Sequence, residues 1–356
     1  MLGSENLVGL DIGTSSVKVS KLRKKKDKYI LTDFGIKAIP PESIVDQHIM
    51  NSEVVTGVIK SLFTERKIKD KEVAISISGH SVIIKKLEIP LMDGEDLEEQ
   101  VKWEATQYIP YNISDVELDY QVLRRRPAEG LMDLLLVAAK KEEIEDYISV
   151  TSEAGLKVVV IDIDSFAMQN AFEINYPDLM KNTVALIDVG SSLVRLNIVK
   201  EGMSLFIRDI TGAGAQLTEE IQKQLNISFE VAESYKVGAG NPASADVVPV
   251  EVNEVLQKSA DSIAAEIQRT IDYFLATTEG QSIDYILIGG GTGNCRFLRD
   301  AVQKRTGIQV EFFDVFRAIG IDQAKFDTER IKAMSGHAVV SVGLALRSKK
   351  EKKKKG

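Results

Sequence analysis

The chain of 356 residues has one cysteine, three histidines and one tryptophan, and no apolar run near the roughly 18 residues that a membrane span needs. Each shortage removes a class of function. Cys295 alone cannot form an internal disulfide, and His48, His80 and His337 are too scattered for metal-ligand spacing, so any metal must be held by oxygen. The longest plain apolar run, residues 134–139, has a strand's length. The start of the chain lacks the basic, apolar, small-residue pattern of a signal peptide, which sets the expectation of a cytoplasmic protein. At this length two domains are expected rather than one core.

Charge is unevenly spread along the chain. The net charge is −8, yet the last ten residues carry seven Lys/Arg and one Glu, so the tail is +6 and the rest is −14. A basic run of this kind suits a solvated end; it also suits weak attraction to anionic lipid, at most about 1 kcal/mol per charge close to the surface. Residues 21–28 form a second basic stretch between two strand-like runs and read as a hairpin tip. Neither stretch is interleaved with aromatics, so nucleic acid is not expected as a partner.

What the chain does contain is one device written twice, 177 positions apart. Residues 8–19 read Val-Gly-Leu-Asp11-Ile-Gly13-Thr14-Ser15-Ser16-Val-Lys18-Val, and residues 185–196 read Ala-Leu-Ile-Asp188-Val-Gly190-Ser191-Ser192-Leu-Val-Arg195-Leu. An apolar strand that ends in Asp-x-Gly-hydroxyl and turns into a second strand aims backbone N–H groups, hydroxyls and a carboxylate at one spot, which suits phosphate and a metal. One such turn is also an ordinary hairpin; two in register imply two similar halves that grip a polyphosphate from both sides. Asp11 and Asp188 are the expected carboxylates for the water shell of Mg²⁺, a cation that keeps few protein ligands. Lys18 and Arg195 hold matching places, and Lys18, which follows the first turn directly, is the favoured phosphate partner of the two.

Hydrophobic period extends the duplication. Each half opens with three strands, at 7–12, 16–22 and 29–37, and at 183–188, 193–199 and 203–210. Helices follow at 52–67 and 252–277, the latter with Val255, Leu256, Ile263, Ile267, Ile271, Phe274 and Leu275 on its inner face. Next come strands at 72–78 and 285–288, and each half closes with one more strand and helix. A third loop, Gly289-Gly290-Gly291-Thr292-Gly293, follows the strand at 285–288, and its lack of side chains lets an adenosine lie against the backbone. Two insertions interrupt the plan. The first, 81–156, holds strands, Pro90, an acidic helix at 93–108 bearing Trp103, and Pro110; the second, 211–282, is mainly helical. Trp103, as a lone aromatic, is expected in the core.

The three loops resemble the phosphate-1, phosphate-2 and adenosine motifs of the actin, Hsp70 and sugar-kinase superfamily over nearly the whole chain. Within it, Ile89-Pro90, Glu104-Ala105, Tyr108-Ile109-Pro110, Asp119-Tyr120 and Asp162 ahead of Phe166-Ala167 look like the PilM family of type IV pilus assembly, kin of FtsA. The resemblance implies an α/β fold of two duplicated actin-like βββαβαβα domains. Domain 1 would be residues 1–80 and 157–180, with an FtsA-type subdomain at 81–156. Domain 2 would be 181–210 and 283–347, with a helical subdomain at 211–282, and 348–356 would be a basic tail. It implies ATP or ADP with Mg²⁺, held by Gly13, Thr14, Ser15, Ser16, Lys18, Gly190, Ser191, Ser192 and Gly289 to Thr292. Gly212 and Gly214 match glycines near the phosphates, and Glu233 and Lys236 match the helix that touches ribose and base; the latter pair also fits a plain i, i+3 surface pair. The implied partner is the N-terminal cytoplasmic tail of a PilN-like inner-membrane protein, alongside other pilus components and motor ATPases, with membrane contact indirect or through the basic tail. FtsA-like proteins end in an apolar-faced helix, which residues 349–356 lack, and this favours PilM. Slow hydrolysis fits such a scaffold. Two other readings share the fold: a small-molecule kinase, whose base would be sought at Asp162 or Asp164, and a filament-forming FtsA-like protein.

Overall fold

The computed structural model describes residues 6–239, 249–278 and 280–349; residues 350–356 of the basic tail lie outside the described residues. The first half opens on β1 (Val8–Ile12), β2 (Ser16–Lys25) and β3 (Lys28–Ala38), followed by a small ribbon of β4 (Ile44–Val45) and β5 (His48–Ile49). Next come α1 (Ser52–Glu65) and β6 (Glu72–Ile77). α1 begins where the Asn51 side chain accepts from the Val54 N–H at 3.1 Å, and it buries Val55, Ile59, Leu62 and Phe63 at helical spacing. The inserted segment holds β7 (Val82–Pro90), α2 (Gly94–Tyr108), β8 (Val116–Arg126) and β9 (Leu131–Lys140), after which α3 (Lys141–Glu153), β10 (Lys157–Ile163) and α4 (Asp164–Asn175) complete the half.

The second half repeats the scheme with β11 (Val184–Val189), β12 (Leu193–Lys200) and β13 (Met203–Thr211). The helices α5 (Gly214–Leu225), α6 (Phe229–Ala239) and α7 (Val250–Thr277) come next, then β14 (Tyr285–Gly289), α8 (Arg296–Thr306) and β15 (Gln309–Phe312). The described chain ends with β16 (Gly320–Ile321), α9 (Thr328–Ala333) and α10 (Val339–Ala345). Setting the insertions aside, both halves run βββαβαβα, with α3 and α8 in matching places. The sheets are ordered β10-β6-β1-β2-β3-β16 and β13-β12-β11-β14-β15, with a separate inserted sheet β7-β9-β8. β1 and β11 lie inside their sheets and are buried at every position, as strands covered on both faces must be.

α4 and α10 lie between the two sheets. A Cβ on Gly343 of α10 would fall 1.8 Å from the Ala167 carbonyl oxygen of α4, and a Cβ on Gly9 of β1 would fall 2.0 Å from the Ser341 carbonyl oxygen, so only glycine allows these backbones to touch. Asn197 on β12 donates to the Ser165 carbonyl at 2.9 Å, which ties α4 to the second sheet. One buried cluster, including Ala167, Phe172, Leu186, Leu287, Phe313 and Leu344, therefore spans both halves.

Four expectations are corrected, and one helix was not foreseen. α3, placed in the insertion by the sequence, sends Tyr147 and Val150 into the core of the first half; the inserted core belongs to Leu97, Val101, Ala105 and the strands around β9. α8 falls between the ranges assigned by periodicity because its buried stripe is only Leu298, Ala301 and Val302. The basic hairpin is mostly strand, with its turn confined to Lys26 and Asp27. Leu275 is 36% exposed at the last turn of α7. Trp103 is 57% exposed rather than core: Val101 and Ala105 mark the buried face of α2, and a residue midway between them points the other way.

Candidate functional site

The two repeats fold into the same turn. The Gly13 N–H donates to the Ser16 carbonyl at 3.1 Å, and the Gly190 N–H donates to the Leu193 carbonyl at 2.9 Å. Register places Asp11 opposite Lys18 across β1 and β2, and Asp188 opposite Arg195 across β11 and β12. Directly opposed residues share a sheet face about 5 Å apart, so each acid meets its base. The ion pairs measure 3.2 Å for Lys18–Asp11 and 3.0 Å for Arg195–Asp188.

Both turns open on one cavity of about 40 Å³, lined by Asp11, Gly13, Thr14, Ser15 and Lys18 from the first half and by Asp188, Gly190, Ser191, Ser192, Arg195, Gly290 and Gly291 from the second, with His337 and Val340. Lys18 and Arg195 thus both reach the cavity. Of the other expected residues, Ser16 closes the first turn through its carbonyl, and Gly289 packs where a Cβ would meet Val339 at 2.7 Å. The Thr292 hydroxyl and the Gly214 N–H both donate to the Gly190 carbonyl, at 2.9 and 3.1 Å, so they hold the second turn rather than line the cavity. Gly212, at φ +84°, borders a separate polar pocket beside α5 and α7. Glu233 and Lys236 do not line the cavity either: the Lys236 ammonium donates to the Gly214 carbonyl at 3.0 Å and pairs with Glu233 at 2.6 Å, which fastens α6 to the start of α5.

Glycine keeps the floor clear. A Cβ on Gly13 would come within 3.1 Å of the Lys18 ammonium, one on Gly190 within 3.2 Å of the Arg195 guanidinium, and one on Gly291 within 3.3 Å of the His337 ring. Gly290 is required outright, at φ +87° with a Cβ position 2.3 Å from the Val189 carbonyl oxygen.

Contacts that the sequence did not foresee lace the halves together, and they bring in Ser78, Asp209 and Gln47, which it did not single out. The Arg195 Nε lies 2.7 Å from Asp164 at the start of α4, and its guanidinium also donates to the Ser78 hydroxyl at 3.1 Å. The Gly79 N–H donates to Asp209 at 2.8 Å. The Ser192 hydroxyl takes part in hydrogen bonds with Thr14 at 3.2 Å and with the Gln47 amide at 3.1 Å. Asp164 had a readable signal, since like Asp11 and Asp188 it sits where a strand ends. Gln47, held at φ +71° in the turn of the small ribbon, had none. Asp164 is committed to Arg195 and Ser76, and Asp162 to Arg347 at 3.2 Å, so the two carboxylates considered for a kinase base are both engaged.

Burial dominates the electrostatics. Desolvation raises the Asp188 pKa to about 6 against the pull of Arg195, and raises that of Asp11 against the pull of Lys18. Burial penalises the Arg195 cation, but Asp164, Asp188, Asp209 and Asp11 outweigh it and hold its pKa above the ordinary guanidinium value. His337 is pushed down to about 4 by burial and by Lys18, so it is neutral at pH 7, in keeping with the 3.1 Å contact between its Nδ1 and the Asn294 amide.

These residues suit an anion that arrives with its own cation. Among the described residues no group of three or more His, Cys, Asp or Glu could hold a metal, so Mg²⁺ fits only as a guest with phosphate and water ligands. The cavity, about 40 Å³, has room for a few waters, each needing roughly 10–15 Å³ by this measure, and is far smaller than a nucleotide.

A family profile described as type IV pilus assembly protein PilM matches residues 9–349. The chain belongs to that family. A solved PilM-PilN type IV pilus biogenesis complex contains a similar chain, 24% identical, with TM-score 0.85 and coverage of 96% of this chain and 98% of that one. The fold is also that of ethanolamine utilization protein EutJ from Carboxydothermus hydrogenoformans (14% identity, TM-score 0.58, 96% and 89% covered). MreB5 of Spiroplasma citri, solved bound to ADP, shares it as well (15% identity, TM-score 0.54, 98% of each chain covered). The fold is therefore the duplicated actin-like one. Among the described residues no helix is long and apolar enough to cross a membrane.

Proposed function

We propose that the protein is a nucleotide-responsive scaffold of type IV pilus assembly that docks the N-terminal cytoplasmic tail of a PilN-like inner-membrane protein and so sits at the inner membrane through its partners. The observation that carries this reading is the PilM profile over residues 9–349, in a chain whose twin acidic turns converge on one cavity. The solved PilM-PilN complex supports the choice of partner, and the ADP-bound MreB5 of the same fold supports the choice of ligand.

In this reading Thr14, Ser15, Ser191 and Ser192 offer hydroxyls to the phosphates from both sides and Lys18 neutralises charge, while the cleared floor at Gly290 and Gly291 takes the adenosine. Bound Mg²⁺ would supply further neutralisation, with Asp11 and Asp188 orienting its water shell. Both carboxylates are already paired to cations, which leaves neither free to activate water and fits slow or absent hydrolysis. Parting of the halves breaks the Arg195 and Ser192 links. Nucleotide can bias the partner only by the difference in its affinity for the open and closed forms.

The test is calorimetric titration of a synthetic PilN-like tail peptide with and without Mg-ATP. The reading expects peptide binding whose affinity shifts by about fivefold or more with nucleotide, the lower end of ordinary coupling. A peptide that fails to bind in either state sinks it.

A further inference from the structure

Between β3 and α1 the chain makes a tight ribbon in which Ile44 pairs with Ile49 and Val45 with His48, so Asp46 and Gln47 form its two-residue turn. Both lie at positive φ, +49° and +71°. Turns of this kind favour Asn-Gly or Asp-Gly, because the second position suits a residue without a Cβ. Asp46 fits that rule and Gln47 breaks it. A side chain held in the left-handed region persists only where its surroundings fix it, and such positions cluster at switch regions.

Gln47, 4% exposed, is fixed on three sides. Its side-chain amide donates to the Ser192 hydroxyl at 3.1 Å, and its backbone carbonyl accepts from the Tyr147 hydroxyl at 3.1 Å. Its Cγ occupies the room left by Gly79, which sits at φ +92° and where a Cβ would come within 2.8 Å of it. The first of these contacts reaches the cavity. A serine hydroxyl has two lone pairs and one proton. Ser192 accepts from Thr14 at 3.2 Å as well as from Gln47, so both lone pairs are used and its proton is left for an acceptor in the cavity that Ser192 lines. A phosphate oxygen is such an acceptor.

The other two contacts reach the stem of the inserted subdomain. β7 leaves the first half and β9 rejoins it side by side, with Val82 paired to Ala139 and the Lys140 N–H donating to the Ser81 carbonyl at 3.3 Å. α3 follows β9 directly and carries Tyr147, 2% exposed, into the core of the first half. Gly79 opens the way into β7, its carbonyl accepting from the Val82 N–H at 3.1 Å. Gln47, Tyr147 and Gly79 thus belong to the first half, and Ser192 to the second.

We propose that Gln47 is a positioning residue that couples the cavity to the inserted subdomain: its amide turns the Ser192 hydroxyl toward a bound phosphate, and its hold on Tyr147 and Gly79 carries that closed state to α3 and to the stem of the β7-β9-β8 sheet. A phosphate that bridges Thr14 and Ser192 keeps Ser192 on Gln47. Withdrawal of Ser192 frees a strained turn at the foot of the stem. This role deepens the nucleotide-responsive scaffold reading and rests on it for the identity of the ligand.

The test pairs titration calorimetry of Mg-ATP with backbone amide hydrogen exchange, read over residues 79–82 and 139–151, in wild type, Gln47→Gly and Tyr147→Phe. Glycine relieves the positive φ and phenylalanine removes one oxygen, so both variants keep the fold, which far-UV circular dichroism checks. In wild type, saturating Mg-ATP slows exchange in both stretches. Gln47→Gly binds Mg-ATP about three- to tenfold more weakly, the span of one ordinary hydrogen bond, and loses the slowing. Tyr147→Phe, remote from the phosphates, binds within about twofold of wild type yet loses most of the slowing over 139–151, a split that a merely structural role would not produce. The proposal alone is overturned if wild type binds Mg-ATP without slowing at the stem, if Gln47→Gly binds as tightly as wild type, or if the response survives in Tyr147→Phe. A wild type that binds no Mg-ATP overturns it together with the nucleotide part of the scaffold reading, so the two failures are told apart.

Discussion

Arg195 joins the two halves through Asp164 and Ser78 and pairs with Asp188 within its own sheet. It is 8% exposed, lies 3.0 Å from Asp188 and 2.7 Å from Asp164, and donates to Ser78 at 3.1 Å. Replacing it with methionine keeps an unbranched stem but leaves two buried carboxylates without their cation. Breaking a buried pair from one side typically costs about 3–5 kcal/mol, and two orphaned acids place Arg195→Met toward the upper end at pH 7.5. The assay is urea unfolding followed by far-UV circular dichroism. The pH dependence sharpens it. Burial already raises Asp188 to about 6 with Arg195 pulling it down, so loss of the cation raises it further above its unfolded value near 3.9. A carboxyl raised in the folded state contributes stability that is full below the unfolded pKa and lost as pH rises through the folded one. The deficit of Arg195→Met therefore shrinks toward pH 4 and is largest above pH 7, and adding Asp164→Asn and Asp188→Asn restores most of it. An unchanged midpoint at pH 7.5, or a deficit that grows on acidification, refutes the reasoning.

Gly343→Ala forces a Cβ to within 1.8 Å of the Ala167 carbonyl oxygen, where backbone meets backbone. It is expected to cost at least the roughly 1–3 kcal/mol of ordinary overpacking, read from the same unfolding curves. His337, held near 4 against about 6.5 unfolded, is a base with a depressed folded pKa, so its share of stability is present above pH 6.5 and is lost as pH falls toward 4. Wild type should thus lose stability relative to His337→Gln between pH 7 and pH 4.5; a constant difference between the two contradicts a buried neutral ring.

The sequence carried the site wherever local register decides it. An Asp seven residues before a base, with a glycine turn between, must become a cross-strand pair, and both Asp11–Lys18 and Asp188–Arg195 did so. The stripe of α7 was legible for the same reason, up to Leu275, where the helix leaves its partners. Contacts between the halves were not legible. Asp164, Ser78, Asp209 and Gln47 meet Arg195, Gly79 and Ser192 only because α4 and α10 dock the two sheets face to face, and no period in the chain encodes that angle. Closure of the cavity was hidden likewise, as it depends on four separate segments meeting. Trp103 misled because residue type was weighed above its place on α2, between Val101 and Ala105.

The central claim is that the twin acidic turns clasp a magnesium-bound adenine nucleotide, and titration calorimetry of Mg-ATP into wild type, Asp11→Ala and Asp188→Ala tests it most directly. The account predicts saturable binding by wild type below millimolar ATP and a loss of about 1.5–3 kcal/mol, roughly ten- to hundredfold in affinity, for each variant. Absence of binding by wild type at millimolar ATP, or variants that bind as tightly as wild type, would contradict it.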